Sequence, residues 1–228
     1  MGFWQKAKEG FLQTELLTIQ TFKGPGKTVL SLVMQEGRVR YFAMQFVGYY
    51  KTLQITVWLG RFASEIVKVV QADLTNPRSL RNVIDGEAEL LEGFDFHKKG
   101  KLKTTLYAPY TAVIDRVAGM LVINIPAFIP MNMVAAPGGT THFKIISAGA
   151  EIDFENETFV VDTQQTAILP WDNAATAVLN LPNAVTANST HPLFLALGIE
   201  FYQEVNALMY PLKNGAYNAL CLLKILGL

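Results

Sequence analysis

Apolar residues Phe62, Ile66, Val69 and Val70 recur at helical spacing, with Glu65 and Lys68 between them. One face of a helix has that pattern, which predicts a short α-helix over residues 61–73. It should stop before Asn76-Pro77, because the residue preceding a proline is pushed out of the helical region. A weaker helical turn is predicted over 79–84, ended by Asp85-Gly86.

From Glu89 onward the period drops to two and turn residues come at short intervals. Phe94 and Phe96 flank Asp95, and the polar run 97–101 turns the chain. Strands are predicted at Thr111–Asp115 and Met120–Ile125, joined by a turn at 116–119, and again at 142–148, 158–169, 175–181 and 217–226. The clearest alternation is Leu193, Leu195, Leu197, Ile199, Phe201 and Val205, with Glu200, Tyr202 and Glu204 between, which predicts one dry face and one partly wet face. Strands parted by Pro, Gly and Asn turns, with no helical pattern among them, point to a mainly β chain folded as an antiparallel sandwich. Within it Leu197 is among the positions where a charge should do most damage.

Composition divides the chain at Gly60-Arg61. Residues 1–60 contain no Asp, Asn or His, yet hold 10 of the 25 aromatics and carry seven Lys/Arg against three Glu. The rest has 12 Asn, and sixteen acidic against twelve basic residues, so a formal charge of zero splits into +4 and −4. Asp and Asn supply many turns and helix caps, so a segment lacking both is poorly punctuated. Three parts are therefore expected: an unreliable, poorly packed segment over 1–60, a helical segment over 61–88, and a sandwich over 89–228. In the first, residues 39–50 and 53–59 read as β-prone and sticky.

The charge balance offers no basic face for nucleic acid. No signal-peptide pattern stands near the start, and the most apolar run, 219–228, is too short to span a bilayer, so the cytoplasm is the default compartment. Cys221 reads as a small buried hydrophobe, and no disulfide framework exists.

Candidate chemistry is sparse. Lys23-Gly24-Pro25-Gly26-Lys27-Thr28 resembles the end of a phosphate-binding loop, but Thr21 stands where the motif needs its first glycine. Glu151, Asp153, Glu155 and Glu157 occupy every second position, opposite Ile152 and Phe154. Such carboxylates could bind a metal or serve a hydrolase, yet 155–157 reads as a hairpin tip and the bland expectation is a solvated edge. His97, His142 and His191 are too far apart in sequence for a zinc pattern, and Ser147 reads as strand interior, not as a nucleophile. Asn156-Glu157-Thr158 and Asn188-Ser189-Thr190 fit the glycosylation pattern, which matters only in a secreted eukaryotic chain. Tyr107, Tyr110, Trp171, Tyr202 and Tyr210 could form a sugar-stacking platform, although scattered aromatics usually belong to core or rim. No cofactor is expected.

The strings 80–91, 107–112, 125–130, 201–206 and 211–216 resemble an uncharacterised protein family of Bacteroidota. That resemblance implies a fibronectin type III-like or immunoglobulin-like sandwich after a polar helical stretch, and no catalytic residues. Residues 1–60 depart from the family pattern. Reading the third base of each codon with the first two of the next, under suitable synonymous choices, gives a peptide that resembles the family's N-terminal region. It runs directly into Arg61-Phe62-Ala63-Ser64, so residues 1–60 are expected to be an out-of-frame translation. The function expected is a non-enzymatic structural or interaction module. Open sheet edges leave room for a homo-oligomer or a protein partner. The alternatives are a carbohydrate-binding or adhesive domain, and a hydrolase using the carboxylates near 151–157.

Overall fold

The computed structural model describes residues 55–75, 77, 87–154, 156 and 158–227, except the side chains of 55–60, 63, 213 and 214. Helix α1 spans Ile55–Ala72 and so begins upstream of its predicted start. Residues 53–59 read as β-prone because of their branched side chains. However, Ile55, Trp58 and Leu59 stand seven, four and three places before Phe62, so the helical period simply continues. Phe62, Ile66 and Val69 are buried, while Lys68 pairs with Glu65 at 2.8 Å on the outer side. The predicted turn at 79–84, the phosphate-loop-like string and the aromatics of 1–54 lie outside the described residues.

The chain then becomes mainly antiparallel β, with 3-10 turns η1 (Ala88–Leu91) and η2 (Leu102–Thr104) leading in. Strands β1 (Thr111–Asp115) and β2 (Met120–Ile125) have the predicted bounds. Their turn closes with a hydrogen bond from Gly119 N–H to the Arg116 carbonyl, and Gly119 takes the positive φ of 66° that a side chain would resist. After the short helix α2 (Pro130–Met133), β3 runs Asp153-ward from His142 (His142–Asp153), longer than predicted. Strands β4 (Thr158–Gln165) and β5 (Leu169–Pro170) divide what the sequence presented as one strand. Strand β6 (Leu179–Ala184) is displaced toward the C-terminus from the predicted 175–181, and β7 (Leu193–Val205) matches. Strand β8 (Leu208–Pro211), which the sequence reading missed, 3-10 turn η3 (Leu212–Gly215) and β9 (Ala219–Leu226) complete the chain.

The strands form two sheets, one ordered β1-β2-β6 and the other β4-β3-β7, with β5 also on β3, and β8 and β9 both on β7. Residues of both sheets share one apolar cluster: Leu121, Ile123, Ile125 and Leu181 from the small sheet meet Phe143, Ile145, Leu195, Leu197 and Ile199 from the large one. The opposite face of the large sheet carries Ile146, Ala148, Ala150, Ile152, Phe194, Ala196, Leu220 and Leu222, packed with Phe62, Ile66 and Val69 of α1. Phe62 lies edge-on to Phe94 at 5.0 Å and stacks on Phe96 at 5.9 Å, which ties the helix to the segment after η1.

The wet face expected on β7 is confined to Glu200, Tyr202 and Glu204, and Val205, expected on the dry face, is exposed because the strand runs beyond the cover of the core there. Residues 193–199 are buried on both sides, and polar exposure begins only at Glu200. The physical reason is visible in the even-numbered residues: Phe194 and Ala196 share an apolar cluster with α1, and a side chain on Gly198 would stand 2.8 Å from the Ala219 carbonyl. Such two-faced burial reads as a near-continuous apolar run.

One polar device sits in the dry interior. The two N–H groups of the Asn183 amide are shared among the carbonyls of Leu121 and Leu181 and Ser147 Oγ, the last at 2.9 Å, and Ser147 Oγ also lies 3.2 Å from Asn183 Oδ1. A side chain on Gly149 would stand 2.7 Å from Asn183 Cβ, so the glycine makes room for this bridge between sheets.

Candidate functional site

Glu151 and Asp153 do share one face of β3, but they are not the solvated edge expected of them. Glu151 is only 6% exposed. Strand β3 continues through Asp153, so both carboxylates lie inside the sheet and under the 184–191 connection. Ser189 Oγ donates to Glu151 Oε1 at 2.6 Å, the Thr186 N–H donates to Oε2 at 3.1 Å, and His191 Nδ1 lies 3.0 Å from Oε1. Burial alone would raise the Glu151 pKa, yet these donors outweigh it and hold the carboxyl below its ordinary value. Asp153 accepts from the Asn156 backbone and amide at 3.0 and 2.7 Å, and its Oδ2 lies 3.5 Å from His191 Nε2. Glu155 and Glu157 lie outside the described residues.

Beside this cluster the Arg116 guanidinium donates to the carbonyls of Ser189, His191, Leu226 and Gly227. It ties the β1–β2 turn to the C-terminal strand end. Ser189 donates to a carboxylate and not to His191, so the geometry of an activated nucleophile is missing. The cluster is a clasp that holds a loop to the sheet.

The five aromatic candidates do not form one platform. Tyr107 is 58% exposed, beside α2, where its N–H donates to the Met133 carbonyl. Tyr110 and Trp171 pack against the intersheet cluster, and Trp171 Nε1 donates to the Val134 carbonyl. Tyr202 donates to Glu200 at 2.8 Å with the Lys144 ammonium 5.5 Å from its ring centre, and burial followed by the Glu200 hydrogen bond raises its pKa. Tyr210 pairs with Gln203 across the β7–β8 ladder, so it faces the side opposite Tyr202.

That ladder is the most exposed apolar element described. Val205, Leu208, Met209 and Tyr210 are all exposed, Leu208 and Tyr210 by 58% and 50%. Val205 opposes Leu208 across a two-residue loop, and both loop residues, Asn206 and Ala207, have positive φ of 52° and 61°. A type I′ turn requires that conformation, with Asn-Gly as the favoured pair. The sequence signal existed in Asn206, but alanine in place of glycine obscured it.

A cleft of about 520 Å³ opens between α1 and the segment that follows η1, lined in part by Arg61, Glu65, Glu92, Phe94, His97 and Lys101. The Gly100 N–H donates to His97 Nδ1 at 2.9 Å, leaving the ring proton on Nε2. Burial, then Lys99 and Arg61, lowers the His97 pKa. In the sequence 97–101 reads as a turn, and its run of basic residues is the signal for the cleft.

The three histidines are dispersed: His97 lines the cleft, His142 lies by Thr141 and Glu204, and His191 belongs to the clasp. Among the described residues no three His, Cys, Asp or Glu side chains gather to hold a metal. Cys221 is buried, and burial followed by Asp95 pushes its thiol pKa up to about 12, which leaves it inert. No helix among the described residues is long and apolar enough to cross a membrane. Comparison with known proteins finds no family model, no curated protein and no solved structure that the chain matches.

Proposed function

We propose that the chain is a non-enzymatic interaction module, structural or binding in role, on a sandwich of fibronectin type III-like or immunoglobulin-like type. Strand order supports the fold half of this reading. Strands β1, β2 and β6 share one sheet as A, B and E do in an immunoglobulin domain, and β3, β7 and β9 share the other as C, F and G do.

The observation that carries the function is the β7–β8 hairpin. Edge strands are normally blunted by charge or proline, yet in β8 only the terminal Pro211 does so, and Leu208, Met209 and Tyr210 before it are exposed and uncharged. A two-fold axis beside it would pair β8 with β8 of a second copy in a closed, isologous contact, so a homodimer is the association this reading expects first. Sedimentation velocity over a concentration series tests it. The wild type should reach a reversible dimer, and Leu208→Lys should remain monomeric with unchanged thermal unfolding. A wild type that stays monomeric throughout would refute the proposal.

The same reading takes the chain as a relative of the uncharacterised Bacteroidota family, with 1–60 translated out of frame. Helix α1 weighs on the other side, since its backbone crosses residue 60 without a break. The nucleotide sequence decides: codons incompatible with the alternate peptide would end this part.

A further inference from the structure

We infer that the cleft beside α1 binds a small molecule carrying an oxyanion, a phosphate or a carboxylate, independently of the hairpin. Its volume of about 520 Å³ lies within the range of small-ligand sites, roughly 300–1,000 Å³. Formal charges on its walls cancel, with Arg61, Lys98 and Lys101 against Glu65, Glu92 and Asp95. Hydrogen bonding does not cancel. Each carboxylate already has an internal donor: Glu65 takes the Lys68 ammonium at 2.8 Å, Glu92 the Ile225 N–H at 2.8 Å, and Asp95 the Leu102 N–H at 3.0 Å.

The cations are less satisfied. Arg61 donates to the Asp95 carbonyl and lies over the Phe94 ring at 5.1 Å, which leaves most of its five N–H groups available. Among the described residues no carboxylate stands within ion-pair distance of Arg61, Lys98 or Lys101. His97 contributes a further donor at Nε2, since its Nδ1 is occupied by Gly100. Cationic donors with spare N–H groups therefore line a concave space, and charge-assisted bonds from Arg and Lys are the strong way to hold an oxyanion. Phe94 and the exposed Leu90 offer apolar wall for the rest of the ligand.

Amide NMR titration of the full chain at low salt tests this with three probes: inorganic phosphate, pyrophosphate and citrate. Saturable shifts confined to residues 61–65 and 90–101 are expected, from the phosphates if the ligand is phosphorylated and from citrate if it is a polycarboxylate. The double variant Lys98→Gln/Lys101→Gln should bind about tenfold more weakly while its thermal unfolding is unchanged. As a check that needs no variant, the effective probe should raise the wild-type melting temperature above that in sodium chloride of equal ionic strength. Absence of saturable shifts with all three probes, or shifts that the double variant leaves intact, would overturn the inference.

Discussion

Gly149 stands on the face of β3 turned to the small sheet, where an added Cβ would press on Asn183 and Leu121. Gly149→Ala should therefore cost about 1–3 kcal/mol by overpacking, read as a lower urea midpoint with an unchanged slope. Ala207 is the converse case. Its positive φ of 61° suits glycine, so Ala207→Gly should stabilise the hairpin by roughly 1 kcal/mol. Glu151 gives a prediction in pH. Its carboxyl titrates lower in the fold than its ordinary 4.5, so the stability it supplies is present above that value and lost as pH falls through the folded value. Unfolding midpoints measured down the acid range should show this step in the wild type and lose it in Glu151→Gln.

At the scale of elements, α1 is a layer of the core. Phe62→Ala should cost about 3–5 kcal/mol by emptying the aromatic contact with Phe94 and Phe96, measured by chemical denaturation. How legible the elements were depended on what covered them. Strands β1, β2 and β7 could be bounded from alternation and turn residues alone, because each ends at a sharp change in polarity. The second buried face of β7 was encoded in Phe194, Ala196 and Gly198, but small residues do not announce a helix above them. Strand β8 was hidden by its alanine turn. The burial of Glu151 was not legible, since its partners Thr186, Ser189 and His191 come from a distant segment. Periodicity along a strand says which side chains share a face, and only the connection that crosses above says whether that face is wet.

At the scale of the described molecule, the central strands of the large sheet, β3 and the first half of β7, are covered on both faces, by α1 on one and by the β1-β2-β6 sheet on the other. Apolar exposure along β7 is thereby confined to its far end, where the hairpin projects. Two groups should make stability depend on pH, one on each side of neutrality. His97 is held below its ordinary 6.5, so its contribution is lost as pH falls past that value. The Cys221 thiol, ordinarily near 9 but held to about 12, costs stability as pH rises above 9, because only the unfolded chain can then release its proton.

The enclosure itself is tested most directly by native-state hydrogen exchange. Amides of 62–70 in α1, 145–152 in β3 and 194–199 in β7 should open together in one slow unfolding event, while those of 203–210 exchange much faster in dilute protein. Rapid exchange of α1 while β3 and β7 stay protected would show that the helix is no layer of this core, and would contradict the account.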